Sequence, residues 1–141
     1  MGIKSLPINA AFKIEAYKPQ ASTMEIESLL SSAGVTIPDI YLRIVREMTD
    51  VEILVNQQKY VRIWGPARVL EMNEAYEVQK NIPTSLAIGD DEGGSALILM
   101  AGDHGFGLYK VGFGDLDVDD ASYIAPSLEE FLINAIGIEA I

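Results

Sequence analysis

Ile82-Pro83-Thr84-Ser85-Leu86-Ala87-Ile88-Gly89-Asp90-Asp91-Glu92-Gly93-Gly94-Ser95-Ala96-Leu97-Ile98-Leu99-Met100 sets two apolar runs on either side of three consecutive acids held between glycines. Runs of this length bounded by turn residues read as buried strands, and the glycines supply the freedom a tight connection needs. A central antiparallel hairpin follows, with Asp90, Asp91 and Glu92 presented at its tip. Gly107 to Val111 comes after a second turn at Gly102-Asp103-His104-Gly105, so the hairpin extends into a meander.

Upstream, Val51 to Val55 and Tyr60 to Trp64 are rich in β-branched and aromatic residues, and Asn56 to Lys59 suits the loop between them. Helical patterns surround these strands. Ser22-Thr23-Met24-Glu25 has the capping-box spacing and leads into Ile26, Leu29 and Leu30 before Gly34. Pro38 suits a first helical turn, with Tyr41, Ile44, Val45 and Met48 following at helical spacing to about Thr49. Ala67 to Asn81 predicts a third helix, stopping before Pro83. Ser127 to Glu130 repeats the capping-box spacing ahead of Phe131, Leu132, Ala135 and Ile136, a terminal helix closing at Gly137. Residues 1–21 read as an N-terminal extension with one strand at Ala11 to Tyr17, and 22–141 as a single domain. The pattern is α+β, an antiparallel or mixed sheet of about five to six strands packed with helices.

A chain of 141 residues suits one domain with a sizeable core, and its 49% hydrophobic and 22% charged composition is that of a folded protein. No apolar run reaches the roughly 18 residues a membrane helix needs, and Lys4 and Lys13 fall where a signal peptide is apolar. Retention in the cytoplasm is the expectation. With no cysteine, disulfides and thiolate metal sites are excluded. The net charge of −11 is uneven: residues 1–64 carry seven bases and seven acids, residues 65–141 three bases and fourteen acids. A field of that sign repels nucleic acid and anionic membrane and speeds encounter with basic proteins.

Candidate chemistry is sparse. His104, the only histidine, lies in a turn without the neighbouring nucleophile and orienting acid that Ser/His or Cys/His catalysis requires. Asp115, Asp117 and Asp119 copy the first ligand positions of a calcium loop, but the sixth position is Asp120 instead of Gly and the twelfth is Pro126 instead of Glu. An acidic surface loop is expected there, with no metal. The glycines of 102–107 lack the Lys, Ser/Thr and helix of a phosphate loop. Asp90, Asp91 and Glu92 read as solvated turn acids, because acid catalysis needs one carboxyl buried enough to hold a proton. Trp64 and Tyr109 are strand aromatics suited to the core, and Trp64, if exposed, to anchoring a partner.

Several strings in order resemble the SUKH superfamily, the domain of fungal Smi/Knr cell-wall regulators and of many bacterial immunity proteins. They are Ile37-Pro38-Asp39-Ile40-Tyr41 opening a helix, Ile63-Trp64 ending a strand, Asn73-x-x-Tyr76, the hairpin Leu86 to Gly94, and Ala125-Pro126-Ser127-Leu128-Glu129-Glu130-Phe131-Leu132. The Asn-Gly turn that members commonly carry after the Pro-x-x-Tyr helix is absent, Met48-Thr49-Asp50 standing in its place. The resemblance implies a noncatalytic, cofactor-free α+β domain that binds a protein, often a secreted nuclease or other toxin. Combined with the charge, it makes the expected function an immunity protein for a basic toxin, with a regulatory scaffold, or a small-ligand binder or enzyme, as alternatives. The residues expected to meet the partner are Asp90, Asp91, Glu92, Asp115, Asp117, Asp119, Asp120 and Trp64.

Overall fold

The computed structural model describes residues 6–141; residues 1–5, the start of the sequence-defined extension, lie outside it. Seven strands fall in sequence order in one antiparallel sheet, β1 Phe12–Pro19, β2 Met48–Val55, β3 Lys59–Ile63, β4 Leu86–Asp90, β5 Ser95–Gly102, β6 Gly105–Gly112 and β7 Ser122–Ala125, with helices inserted between β1 and β2 and between β3 and β4. Seven strands exceed the five to six expected. The extra one is β7, a four-residue edge strand too short for alternation to register before Pro126. At the opposite edge, β1 pairs along β2 from Phe12↔Val55 to Pro19↔Met48 with two register shifts. Those shifts, Lys13, Lys18 and Pro19 make that edge a poor template for further strand pairing.

Burial explains the pattern. In β2, Val51, Ile53 and Val55 alternate into the core, while β4 and the centre of β5 are buried on both faces, as their unbroken apolar runs require. Helix α3, Pro66–Ala75, packs on β4 and on α1, Thr23–Ser32, while a short 3-10 turn at Val118–Asp120 lies against β5. Helix α2, Asp39–Val45, packs against β2 and against α5, Leu128–Asn134.

The capping box at Ser22 forms in full: the Ser22 hydroxyl accepts the Glu25 N–H at 3.1 Å and the Glu25 carboxylate accepts the Ser22 N–H at 2.9 Å. At α5 the Ser127 hydroxyl accepts the Glu130 N–H, and the helix ends at Asn134, where Ala135 turns left-handed ahead of Gly137. The long helix expected over Ala67 to Asn81 is broken into α3 and α4, Val78–Asn81, by Glu77 at φ +52°. No glycine or proline marks that break. Asn9 stitches the lead-in to α5, its N–H donating to Leu132 C=O and its side-chain amide to Ile133 C=O.

Tyr41 is fully buried and its hydroxyl donates to the Trp64 carbonyl at 2.8 Å, joining α2 to the exit of β3. Burial, assisted by the negative charge of Asp50, pushes this phenol well above its ordinary range. Tyr41→Phe, which leaves that buried carbonyl without its donor, is expected to cost about 1–2 kcal/mol in urea unfolding.

Candidate functional site

Glu52 on β2 lies opposite Arg62 on β3, and Arg62 lies opposite Asp90 at the end of β4, so strand register alone lines an acid, a base and an acid across the sheet. Asp90 is 8% exposed, which corrects its reading as a solvated turn acid. Its Oδ2 accepts the Trp64 indole N–H at 2.7 Å and lies 3.7 Å from Arg62, and its Oδ1 accepts the Glu92 N–H at 2.8 Å. These donors compensate the cost of burying the carboxylate. Asp91 organises the loop from within, one carboxylate oxygen accepting the N–H groups of Gly93 and Ser95. Glu92, at φ +56°, reaches back to Arg62 at 3.5 Å. Burial raises the Glu92 carboxyl above its ordinary range; the neighbouring acids Glu52 and Asp90 add to the rise, while Arg62 opposes it.

Trp64 is fully buried and presents no surface to a partner, which removes it from the expected contact residues. Its ring instead carries an aromatic column outward. Phe113 stacks on it at 6.2 Å, and Tyr76 lies against Phe113 at 4.5 Å, with Tyr76 itself 41% exposed. The backbone N–H of Phe113 donates to Gly94 C=O at 3.0 Å, tying the segment after β6 to the acidic hairpin. From Phe113 the chain makes a 3-10 turn to Asp115 and a second at Val118–Asp120, whose N-cap Asp117 accepts the Asp119 N–H.

These turns leave Asp115, Asp117, Asp119 and Asp120 exposed, while Leu116 packs against the core. Asp115, Asp117 and Asp120, together with Tyr76, Asn81 and Phe113, line a concavity of about 320 Å³; Asp119 is not part of its wall. The residues missed by sequence reasoning are therefore Tyr76, Asn81 and Phe113. Tyr76 reads as one more apolar position on a helix, and only an isolated aromatic between two glycines, Gly112-Phe113-Gly114, hints at the turn that brings them together.

The remaining turn is self-contained. His104 Nδ1 lies 2.9 Å from Asp103 and its ring stacks on Tyr123 at 4.2 Å, while the Tyr109 hydroxyl accepts the His104 N–H and donates to Gly105 C=O. Among the described residues no group of three or more His, Asp or Glu side chains is arranged to hold a metal ion, and no helix is long and apolar enough to cross a membrane. The arrangement at the aromatic column suits non-covalent recognition of a cation: carboxylates at the rim, an aromatic edge beside them and a rigid sheet below. No protein-family model matches the chain, and no curated protein is similar to it.

Proposed function

We propose that this chain is a noncatalytic protein-binding domain that neutralises a basic, nuclease-type toxin by receiving part of its cationic surface at the concavity of Asp115, Asp117 and Asp120. The observation that carries the reading is the juxtaposition of those three exposed carboxylates with half-exposed Tyr76 on a column rooted in the core. A nuclease concentrates positive charge where it holds phosphates, so an acidic surface both steers the encounter and competes for those groups. Aromatic side chains on a rigid base lose little entropy on binding and are favoured anchors. The resemblance to immunity-type domains of the SUKH superfamily supports the same partner class.

The test is affinity capture from the source cells on the immobilised domain, followed by kinetics with the captured protein. Wild type is expected to retain a basic protein with nuclease activity. The D115N/D117N/D120N triple variant is expected to associate about tenfold more slowly at low salt, with a flattened salt dependence. Retention of a basic nuclease with unchanged association kinetics in the triple variant would place the interface elsewhere, and capture of a non-toxin regulatory protein would favour the scaffold alternative.

A further inference from the structure

Helix α1 ends without the features that ordinarily compensate a helix C-terminus. Its last turn carries no basic residue, and the chain leaves it extended at Ala33 (φ −70°, ψ 134°), whose N–H takes the Leu29 carbonyl. Among the described residues the carbonyls of Leu30, Ser31 and Ser32 receive no backbone N–H, so the negative end of the helix meets neither an amide nor a cation of its own. Beside it, where α1, α3, α4 and β4 meet, lies a cavity of about 390 Å³, within the size range of small-molecule pockets.

Apart from the Ser32 hydroxyl, which serves either role, the free polar groups of its wall are acceptors. Gln79 commits both amide N–H groups, to Asn73 Oδ1 at 2.8 Å and to the Ser85 carbonyl at 2.9 Å, which fixes the amide and leaves its oxygen as the free end. Asn73 is fully used within the protein. The Glu74 side chain is exposed and has no ion pair or hydrogen bond among the described residues. Leu70 and Leu86 supply apolar wall, and no lysine or arginine lines the cavity. Gly34 keeps one side open, since a Cβ there would meet no atom within 4 Å.

We propose that this cavity binds a small primary amine, its ammonium taken by the Glu74 carboxylate and the Gln79 side-chain oxygen beside the C-terminal end of α1, and its alkyl chain laid on Leu70 and Leu86. An ammonium has three donors and no acceptor, which is what a wall of acceptors lacks. An anion would meet Glu74 and the helix end with like charge, and a neutral alcohol would forgo the charge-assisted hydrogen bonds. The cavity shares no wall residue with the concavity of Asp115, Asp117 and Asp120, so amine binding here and toxin binding there stand or fall separately.

The experiment is a heteronuclear NMR titration of the full chain with pentylammonium, with pentanol and pentanoate as the neutral and anionic counterparts, for wild type, Glu74→Gln and Glu74→Lys. Expected is saturable binding with a Kd of about 1–10 mM, as a ligand this small allows, with shifts centred on the backbone of Ser32 to Gly34 and Leu86 and on the Gln79 side-chain amide. Pentanol is expected to bind about tenfold more weakly and pentanoate not at all. E74Q is expected to raise the Kd about three- to tenfold, and E74K, which brings its own ammonium, to abolish binding. Glu74 is exposed, so both variants are expected to keep the wild-type melting temperature and fold. Absence of saturable shifts, shifts that fall only in the Asp115 to Asp120 loop, equal affinity for pentanol, or an affinity unchanged in E74Q and E74K each overturns the proposal.

Discussion

Asn73→Ala is expected to lower the free energy of unfolding by about 3–5 kcal/mol and the melting temperature by roughly 10–15 °C, the largest effect of any exposed-looking polar residue in the chain. The side-chain amide uses all of its hydrogen-bonding capacity inside the protein. Its nitrogen donates to Val69 C=O at 2.7 Å and Ala87 C=O at 2.8 Å, and its oxygen accepts the Ala87 N–H at 3.0 Å and the Gln79 side-chain N–H at 2.8 Å. Strand β3 pairs with β4 only at Arg62↔Asp90 and Ile63↔Gly89, after which the chain turns away into α3. Asn73 therefore stands in for a strand residue, satisfying both backbone groups of Ala87 from the helix. Truncation leaves a buried N–H and C=O without partners, each at about 1–3 kcal/mol, and leaves the Gln79 amide with only its bond to the Ser85 carbonyl. Asn73→Asp keeps the shape but turns a charged acceptor toward two carbonyls, and is expected to be at least as damaging. Urea unfolding followed by Trp64 emission measures both, and a loss under 1 kcal/mol for N73A would mean that water enters and replaces the amide.

Trp64→Ala is the second large expected effect, about 4–6 kcal/mol. Removal of a fully buried ring costs about 3–5 kcal/mol through lost transfer energy and the cavity left behind. The Asp90 carboxylate also loses its closest donor, the indole N–H at 2.7 Å, while still buried. Trp64→Phe separates these contributions, since it retains most of the ring beneath Phe113 and removes only the donor. It is expected to cost about 2 kcal/mol. Circular dichroism is the readout, the chain having one tryptophan. Equal losses for the two variants would assign the whole effect to the hydrogen bond and none to the aromatic column.

Most of the strands, and the starts of the helices outside the third, were legible because their signals are local; the second helix, expected to run to about Thr49, ends at Val45, because Met48 and Thr49 pair with Pro19 and Lys18 as the start of β2. Ser22 and Glu25 meet as the spacing implies, the apolar runs Leu86 to Ile88 and Ala96 to Met100 are buried, and Asn56, at φ +51°, turns the chain between β2 and β3. The break at Glu77 was not legible. Its left-handed backbone carries no glycine, and Tyr76 beside it lies against Phe113, a residue 37 positions away. Strand β7 was missed for a similar reason, because four residues pair as a strand only through β6.

The acids divide in the same way. Asp115, Asp117, Asp119 and Asp120 are exposed as their polar loop suggests, but that three of them share a concavity with Tyr76 depends on Phe113 docking on Trp64. Asp90 and Glu92 are neighbours of Asp91 in a glycine-bounded turn, yet only Asp91 serves the turn alone; the other two answer to Arg62 on β3, Trp64 just beyond its end and Glu52 on β2.

The sequence by itself determined the α+β class, the hairpin and the confinement of the net charge to residues 65–141, since periodicity, turn chemistry and charge are properties of neighbours along the chain. Only the tertiary structure decided that Trp64 is core, that Asp90 is buried, and that Tyr76 and Phe113 stand beside the acids. Those outcomes depend on which strands lie side by side and which donors a folded sheet brings within 3 Å of a carboxylate, as the indole of Trp64 is brought to Asp90.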